Sequence, residues 1–234
     1  MEQSEFNENF VVQDTFARMG GMSWTYYNIA EQAYESFLID EMNRLPNPKA
    51  GNEQNDPTDW MEQSTRLQIS GVKTIVFIAM CIEAAAFDFS AIQLGDSYTK
   101  LYLDKLDLVS KWVVVPKLVG GKSLKKTSPA LNSLKALVKS RNSLVHHKSL
   151  PFEIDSRKNY DNLTKASEAF PNDVHNAFKS VVLLSLELTD LLQTSATGLP
   201  HFEKHWKSFE EPPMHVKKMI EQCRIIHSRT ASVI

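Results

Sequence analysis

Residues 139–150 read KSRNSLVHHKSL, and they bring an arginine, an asparagine and two histidines within seven positions of one another. A histidine that titrates near neutral pH can accept and return protons. An arginine can hold a phosphate group through two parallel hydrogen bonds and stabilise extra negative charge on it. Proton transfer at a phosphate ester, without a metal, is therefore the chemistry that these residue types can support.

The stretch lies in the second half of an expected helix. Ser128-Pro129 is typical of a helix start, and Leu150-Pro151 is typical of its end, because a residue before proline avoids helical angles. With about 100° per residue, the apolar stripe of this helix is centred close to Arg141. The stripe consists of Leu131, Leu134, Leu137, Val138, Leu144 and Val145.

Three polar side chains of this helix are predicted to form one cluster. Asn142 and His146 lie at the edge of the apolar stripe, four residues apart, and are therefore neighbours on the helix surface. His147 falls on the far side. The predicted cluster consists of Arg141, Asn142 and His146.

Arg141 needs a partner if it lies among apolar side chains, because an unpaired charge there costs several kcal/mol. Glu83 is the only charged residue between Lys73 and Asp88, in the apolar run AMCIEAAAF. We therefore expect this helix to be buried and Glu83 to support Arg141 through a buried ion pair. The alternative is that the Arg141 side chain extends past its leucine neighbours into solvent.

The region around the cluster is strongly basic. From Leu108 through Phe152 the chain has no Asp or Glu and nine Lys or Arg, within a protein whose formal net charge is −2. Such a segment is a candidate surface for a polyanion. The residues expected to contact nucleic acid are Lys135, Lys139, His147 and Lys148. The alternative is a solvated lysine face that acids from other segments balance.

Helix signals dominate the chain, which has only eight glycines and no convincing alternating strand pattern. The predicted fold is all-α, a bundle of about five or six helices with a long central helix. Its helices are expected at 24–43, 57–94, 96–118 with a break near Asp107, 129–150, 156–170 and 171–194, followed after Gly198 by a mixed tail with a short helix and a loose end.

The expected organisation has three parts. Residues 1–56 form an N-terminal helix and polar loop that pack on the bundle, 57–197 form the helical core, and 198–234 form a C-terminal extension. The first residues do not resemble a signal peptide, the two cysteines do not suggest a disulfide framework, and the apolar run 74–86 is too short to span a membrane. A cytoplasmic protein without membrane contact is expected.

The six residues RNSLVH at 141–146 resemble the Arg-x4–6-His signature of the HEPN superfamily of all-α domains. The preceding stretches AMCIEAAAFDF and DSYTKLYLDKLDLVSKW are similar in order and character to uncharacterised bacterial proteins of that group. The resemblance implies a homodimer that cuts RNA without metal or cofactor, in a toxin–antitoxin or phage-defence setting with an antitoxin or defence-system protein as partner. It also implies that Arg141 and His146 are catalytic, with Asn142 as the polar position after the arginine.

One feature departs from a subgroup of that family. Its members carry a modifiable tyrosine two places after the histidine, where this chain has Lys148. Regulation through such a tyrosine is therefore not expected here.

Two other function classes stay open. One is a non-catalytic scaffold of the same fold that binds nucleic acid or protein. The other is an enzyme that uses a metal at His201 and His205, although the HExxH pattern is absent because Phe202 follows the first histidine. The aromatic residues Trp112, Tyr98 and Tyr102 have the spacing of core residues.

Overall fold

The computed structural model describes residues 19–46, 56–146, 157–194, 197–203 and 211–231, with side chains of the sixth helix from Thr164 onward. In these ranges the protein is all-helical and contains no strand. The helices are α1 Ser23–Met42, α2 Pro57–Leu94, α3 Asp96–Tyr98, α4 Leu108–Gly120, α5 Pro129–Val145, α6 Arg157–Leu192 and α7 Met214–Ala231. A π-helical turn, Thr99–Leu103, follows α3. The expected all-α class is confirmed.

Local capping chemistry sets the ends of the helices that carry the site. Asp56 accepts a hydrogen bond from the backbone N–H of Thr58 at 2.8 Å and starts α2. Ser128 accepts one from the N–H of Leu131 at 3.1 Å and starts α5. In both cases a proline occupies the first turn, where its missing N–H costs nothing. Gly95 ends α2 with a positive φ of 86°. The predicted starts of α2 and α5 and the predicted end of α2 are confirmed. The end of α5 was expected at Leu150, but the helix ends at Val145, and His146 is its C-cap.

The 38-residue helix α2 lies in the middle of the bundle and packs against α1, α5 and α6. Tyr34 of α1 stacks on Phe178 of α6, with ring centroids 4.5 Å apart. Val216 and Ile220 of α7 belong to the same hydrophobic core. Helices from both ends of the chain therefore share one core with the central segment.

Both cysteines lie inside this core. Cys81 of α2 and Cys223 of α7 are buried free thiols. Burial raises the pKa of each thiol to about 12, because the thiolate would lose its hydration. They therefore behave as small apolar side chains.

By length and composition, α2 is the one helix among the described residues that could cross a membrane, and 56% of its most apolar window is buried in the protein. Burial against α1 and α6 gives its apolar surface a partner inside the bundle. A mostly buried core helix passes the same test of length and composition.

The predicted break before Pro171 is wrong. Helix α6 continues through this proline from Arg157 to Leu192. Proline removes one N–H and leaves the carbonyl of Ser167 without its helical partner. Ser167 is exposed, so a water molecule can donate a hydrogen bond to this carbonyl in place of the missing N–H. The tail also differs from the expectation, since α7 is a regular helix of 18 residues.

Trp112 is fully buried as expected, and its indole N–H donates to the carbonyl of Ile82 at 3.2 Å. The expectation of core positions for Tyr98 and Tyr102 is wrong, because they are 42% and 60% exposed. The N–H of Asp104 bonds to the carbonyl of Thr99, five residues back. This wider turn rotates the following side chains relative to an ordinary α-helix. A prediction that assumes α-helical spacing therefore assigns the wrong side chains to the core.

Gly71 lets α6 approach α2 closely. A methyl group on Gly71 would lie 2.6 Å from the ring of Phe170 and 2.8 Å from Cγ2 of Val174. We expect Gly71→Ala to lower the free energy of unfolding by about 1–2 kcal/mol. Overpacking destabilises by about 1–3 kcal/mol, and the higher helix propensity of alanine offsets up to about 1 kcal/mol of this. Urea denaturation followed by circular dichroism measures this change.

The matched control is Gly120→Ala at the end of α4, where the nearest atom is the flexible methyl Cδ2 of Leu192. This variant should be as stable as the wild type or more stable. Equal stability of Gly71→Ala and the wild type would contradict the close approach.

Candidate functional site

Helix α5 positions Arg141 at the edge of the bundle. Leu134 and Leu137 are fully buried and fix the orientation of the helix. The side chain of Arg141 remains 36% exposed. Its guanidinium meets the carboxylate of Glu83, with Nη2 3.5 Å from Oε2, and its Nη1 donates to Oδ1 of Asn142 at 2.9 Å. The structure thus shows the expected contact between Glu83 and Arg141.

The expectation that this ion pair is buried is wrong, since the Glu83 side chain is 45% exposed. The apolar residues around Glu83 in sequence include Met80, Ala84 and Phe87, which share its helical stripe at spacings of three and four residues. That stripe lines an open cleft instead of the core. Apolar neighbours in sequence therefore did not guarantee burial.

A second cation completes the charge network. Nζ of Lys111 lies 3.6 Å from Oε1 of Glu83 and 3.5 Å from Oδ1 of Asp104, and the Lys111 side chain is only 7% exposed. Sequence reasoning counted Lys111 as part of a basic surface and missed this role. The available signal was its position beside Trp112 in the apolar helix LVSKWVVV.

The network holds the guanidinium of Arg141 in place and leaves some of its N–H donors free. Arginine carries five N–H donors in a planar fork. Two nitrogens, Nη1 and Nη2, contact Asn142 and Glu83. The remaining donors can still bind an anionic oxygen from the solvent side. Because Lys111 shares Glu83, the carboxylate does not neutralise Arg141 completely.

His146 caps the C-terminal end of α5. Its backbone N–H bonds to the carbonyl of Asn142 at 3.0 Å, and its side chain is exposed. The imidazole makes no hydrogen bond with any residue that the structure describes, Arg141 included. The structure therefore brings Arg141, Asn142 and Glu83 together and places His146 one turn beyond Asn142.

The exposed face of α5 is basic. Lys135 and Lys139 are exposed, as expected for residues that contact a polyanion. At about 100° per residue, these two lysines, Asn142 and His146 lie within about 60° of one another around the helix. Helix α5 contains no acidic residue. His147 and Lys148, the other two residues expected at this surface, lie outside the described residues.

The cleft on the other side of Glu83 has the opposite character. It has a volume of about 380 Å³, and its charged lining residues are Glu83, Asp88, Asp104 and Lys111. Three carboxylates against one ammonium repel a phosphate backbone. The charge of this cleft is therefore unfavourable for a polyanion, whereas the charge on the exposed face of α5 is favourable.

The histidines considered for a metal site do not assemble one in the described part of the chain, where no group of three His, Cys, Asp or Glu is arranged to hold an ion. Nδ1 of His201 lies 4.0 Å from Oε2 of Glu203, and burial lowers the pKa of His201. His205, the second proposed ligand, falls outside the described residues.

His175 is a further residue that sequence reasoning missed. Its Nδ1 is 3.0 Å from the hydroxyl of Tyr34, and its Nε2 is 3.0 Å from Oε2 of Glu41. Both partners are more than 130 positions away in the chain. No local pattern could have indicated these contacts.

Comparison of the chain with known protein families, with curated proteins and with solved structures finds no match in any of the three.

Proposed function

We propose that this protein is a metal-independent endoribonuclease of the HEPN type. One observation carries the proposal: Glu83 and Asn142 hold the guanidinium of Arg141 at the end of an acid-free helix that presents His146, Lys135 and Lys139 to solvent. Such an arrangement supplies a proton carrier, a phosphate clamp and a cationic approach surface on one helix.

The proposed reaction is transesterification within the RNA backbone. His146 removes the proton of a ribose 2′-hydroxyl, and the 2′-oxygen forms a bond to the adjacent phosphorus. The bond from phosphorus to the 5′-oxygen breaks, and that oxygen receives a proton from a second imidazole. The products are a 2′,3′-cyclic phosphate and a 5′-hydroxyl, and Arg141 stabilises the extra charge on the phosphorane oxygens.

A homodimer supplies the second imidazole in this proposal. The reaction needs one group to take a proton and another to give one, and the helix end carries a single described histidine, His146. Two copies of α5 facing each other provide two such histidines and two arginines in one cleft. The proposed setting is the cytoplasm, with an antitoxin or defence-system protein as regulator.

A non-catalytic RNA-binding scaffold is the second candidate function. The observation that favours it is that no hydrogen bond joins Arg141 to His146 within one chain. The basic face of α5 would then bind the RNA backbone without cleaving it.

Incubation of the purified protein with a labelled RNA in EDTA separates these functions. We expect cleavage to continue in the chelator and to yield 2′,3′-cyclic phosphate and 5′-hydroxyl ends. An RNA with a 2′-deoxy sugar at the cleavage position should stay intact, because it lacks the nucleophile. The readout is gel electrophoresis combined with mass spectrometry of the fragment ends.

Cleavage that stops in EDTA would contradict the metal-independent mechanism. Binding of the RNA without any cleavage would support the scaffold instead. Light scattering after size exclusion tests the dimer, and a monomer at high protein concentration would exclude a cleft built from two copies.

A further inference from the structure

A second cleft, remote in sequence from the residues of α5, lies where α1, α6 and α7 meet. Its volume is about 520 Å³, within the usual range for small-molecule sites, about 300–1,000 Å³. Each helix contributes one stripe of side chains at spacings of three and four residues. They include Tyr34 and Leu38 from α1, Lys179 from α6, and His215, Lys218 and Met219 from α7.

The charged residues that line this cleft are basic. Lys179 and Lys218 line it, and none of its described lining residues is acidic. Neither lysine forms an ion pair within 4.0 Å of a described carboxylate. Cys223 lies within electrostatic range of Lys179, but burial raises the pKa of this thiol to about 12. The thiol is therefore neutral and does not balance the charge of Lys179. Two ammonium charges are therefore left uncompensated.

The cleft also has a rigid polar wall. Tyr34 and Glu41 hold the ring of His175 from both nitrogens, at 3.0 Å each. Glu41 is thus already engaged with His175. His215 differs, because its Nδ1 is buried and has no hydrogen-bond partner among the described residues. An anion that enters the cleft can accept a hydrogen bond from this nitrogen when it carries the ring proton.

An apolar wall faces these polar groups. Leu38 and Met42 of α1 and Met219 and Ile226 of α7 line the same cleft. Methionine side chains adapt to ligands of varied shape because they are unbranched and polarisable. A ligand that fits has a dianionic head for the two lysines and an apolar body for this wall.

We propose that the cleft between α1, α6 and α7 binds a small organic phosphomonoester, with its phosphate between Lys179 and Lys218 and its apolar body against Met219 and Ile226. A phosphomonoester carries about −1.5 to −2 charges at pH 7, which matches two uncompensated lysines. A carboxylate, with a single charge, would leave one lysine unpaired. This site is independent of the proposed RNA cleavage at α5.

Isothermal titration calorimetry with phenyl phosphate, at pH 7 and on the full chain, tests the site. We expect saturable binding of one phenyl phosphate per chain. Inorganic phosphate, which lacks the apolar body, should bind about 10-fold more weakly or worse. Adenosine monophosphate and glucose 6-phosphate are titrated in the same way. Tighter binding of adenosine monophosphate would indicate that the cleft prefers a ligand with a base, and tighter binding of glucose 6-phosphate would indicate that it prefers a sugar.

The variant Lys179→Met/Lys218→Met should lower the affinity for phenyl phosphate by about 100-fold or more, because each charge-assisted contact is worth at least about a factor of 10. The matched control is Lys100→Met/Lys105→Met, which removes two exposed lysines far from the cleft and should bind normally. Thermal unfolding of both variants shows that they are folded.

No saturable binding of any phosphomonoester at millimolar concentration would overturn the proposal. Equal affinity of the wild type and the cleft variant would also overturn it, because binding would then lie elsewhere. Equal affinity for phenyl phosphate and inorganic phosphate would remove the role of the apolar wall.

Discussion

His146→Ala should lower the rate of RNA cleavage by about 100- to 10,000-fold, the usual contribution of a positioned acid or base. His146 is the imidazole proposed to exchange protons with the ribose and with the leaving oxygen, and alanine can do neither. The measurement is the single-turnover rate of cleavage of a labelled RNA in EDTA, with protein in excess over substrate.

The stability of this variant should not change. The imidazole of His146 is exposed and makes no hydrogen bond with a described residue, so its removal breaks no contact there. The matched control is His227→Gln, because His227 lies on α7, where its Nε2 contacts Asp190 at 2.7 Å. This control should cleave RNA at the wild-type rate. Cleavage by His146→Ala within about threefold of the wild type would remove the histidine from the mechanism, since a positioned acid or base contributes far more.

Arg141→Ala should lower the cleavage rate by about 100- to 1,000-fold, the range measured when one preorganised donor to a transition-state oxyanion is removed. The more informative variant is Arg141→Lys. Lysine keeps the charge but lacks the planar fork, so it cannot hold Glu83, Asn142 and a phosphate oxygen together. We expect Arg141→Lys to recover only a small part of the lost rate, although its overall affinity for RNA should stay close to that of the wild type.

The structure separates this effect from a loss of folding. Arg141 and Glu83 are 36% and 45% exposed, so their ion pair contributes less than about 1 kcal/mol to stability. After removal of the arginine, Lys111 still contacts Glu83. A decrease of several kcal/mol in the free energy of unfolding would instead show that Arg141 is chiefly structural.

A comparable ion pair elsewhere provides the control. Nη2 of Arg66 lies 3.3 Å from Oδ1 of Asp40, also at a partly exposed position between two helices. Arg66→Ala makes the same chemical change and should leave cleavage unaffected. If Arg141→Ala and Arg66→Ala reduce cleavage equally, the effect is one of general charge and not of a phosphate clamp. If Arg141→Ala reduces RNA affinity in a protein that never cleaves, the scaffold function is supported.

Helix boundaries and caps could be predicted from the sequence because they depend on neighbouring residues. Asp56-Pro57 and Ser128-Pro129 each contain the side-chain acceptor and the proline that start a helix, and Gly95 supplies the positive φ that ends one. Pro171 is the instructive failure. The rule that proline ends a helix is also local, but the packing of α6 on α2 and α5 stabilises the helix on both sides of it.

The candidate site could be predicted only in part. Spacing along α5 placed Arg141, Asn142 and His146 on one helix, and charge reasoning paired Arg141 with Glu83, 58 positions away. The degree of burial of that pair was mispredicted, and the roles of Lys111 and His175 were not foreseen. Each of these depends on which helix covers which, and neighbouring residues in sequence do not contain that information.

The sequence by itself determined that the chain is all-helical, where most of its helices start, and which residue types its α5 presents. The tertiary structure decided that Glu83 faces an open cleft between Arg141 and Lys111, and that Lys179 and Lys218 line the same second cleft. The physical reason is the range of the interactions. Capping and helical periodicity act within about four residues, whereas ion pairs and clefts arise where helices distant in the chain pack together.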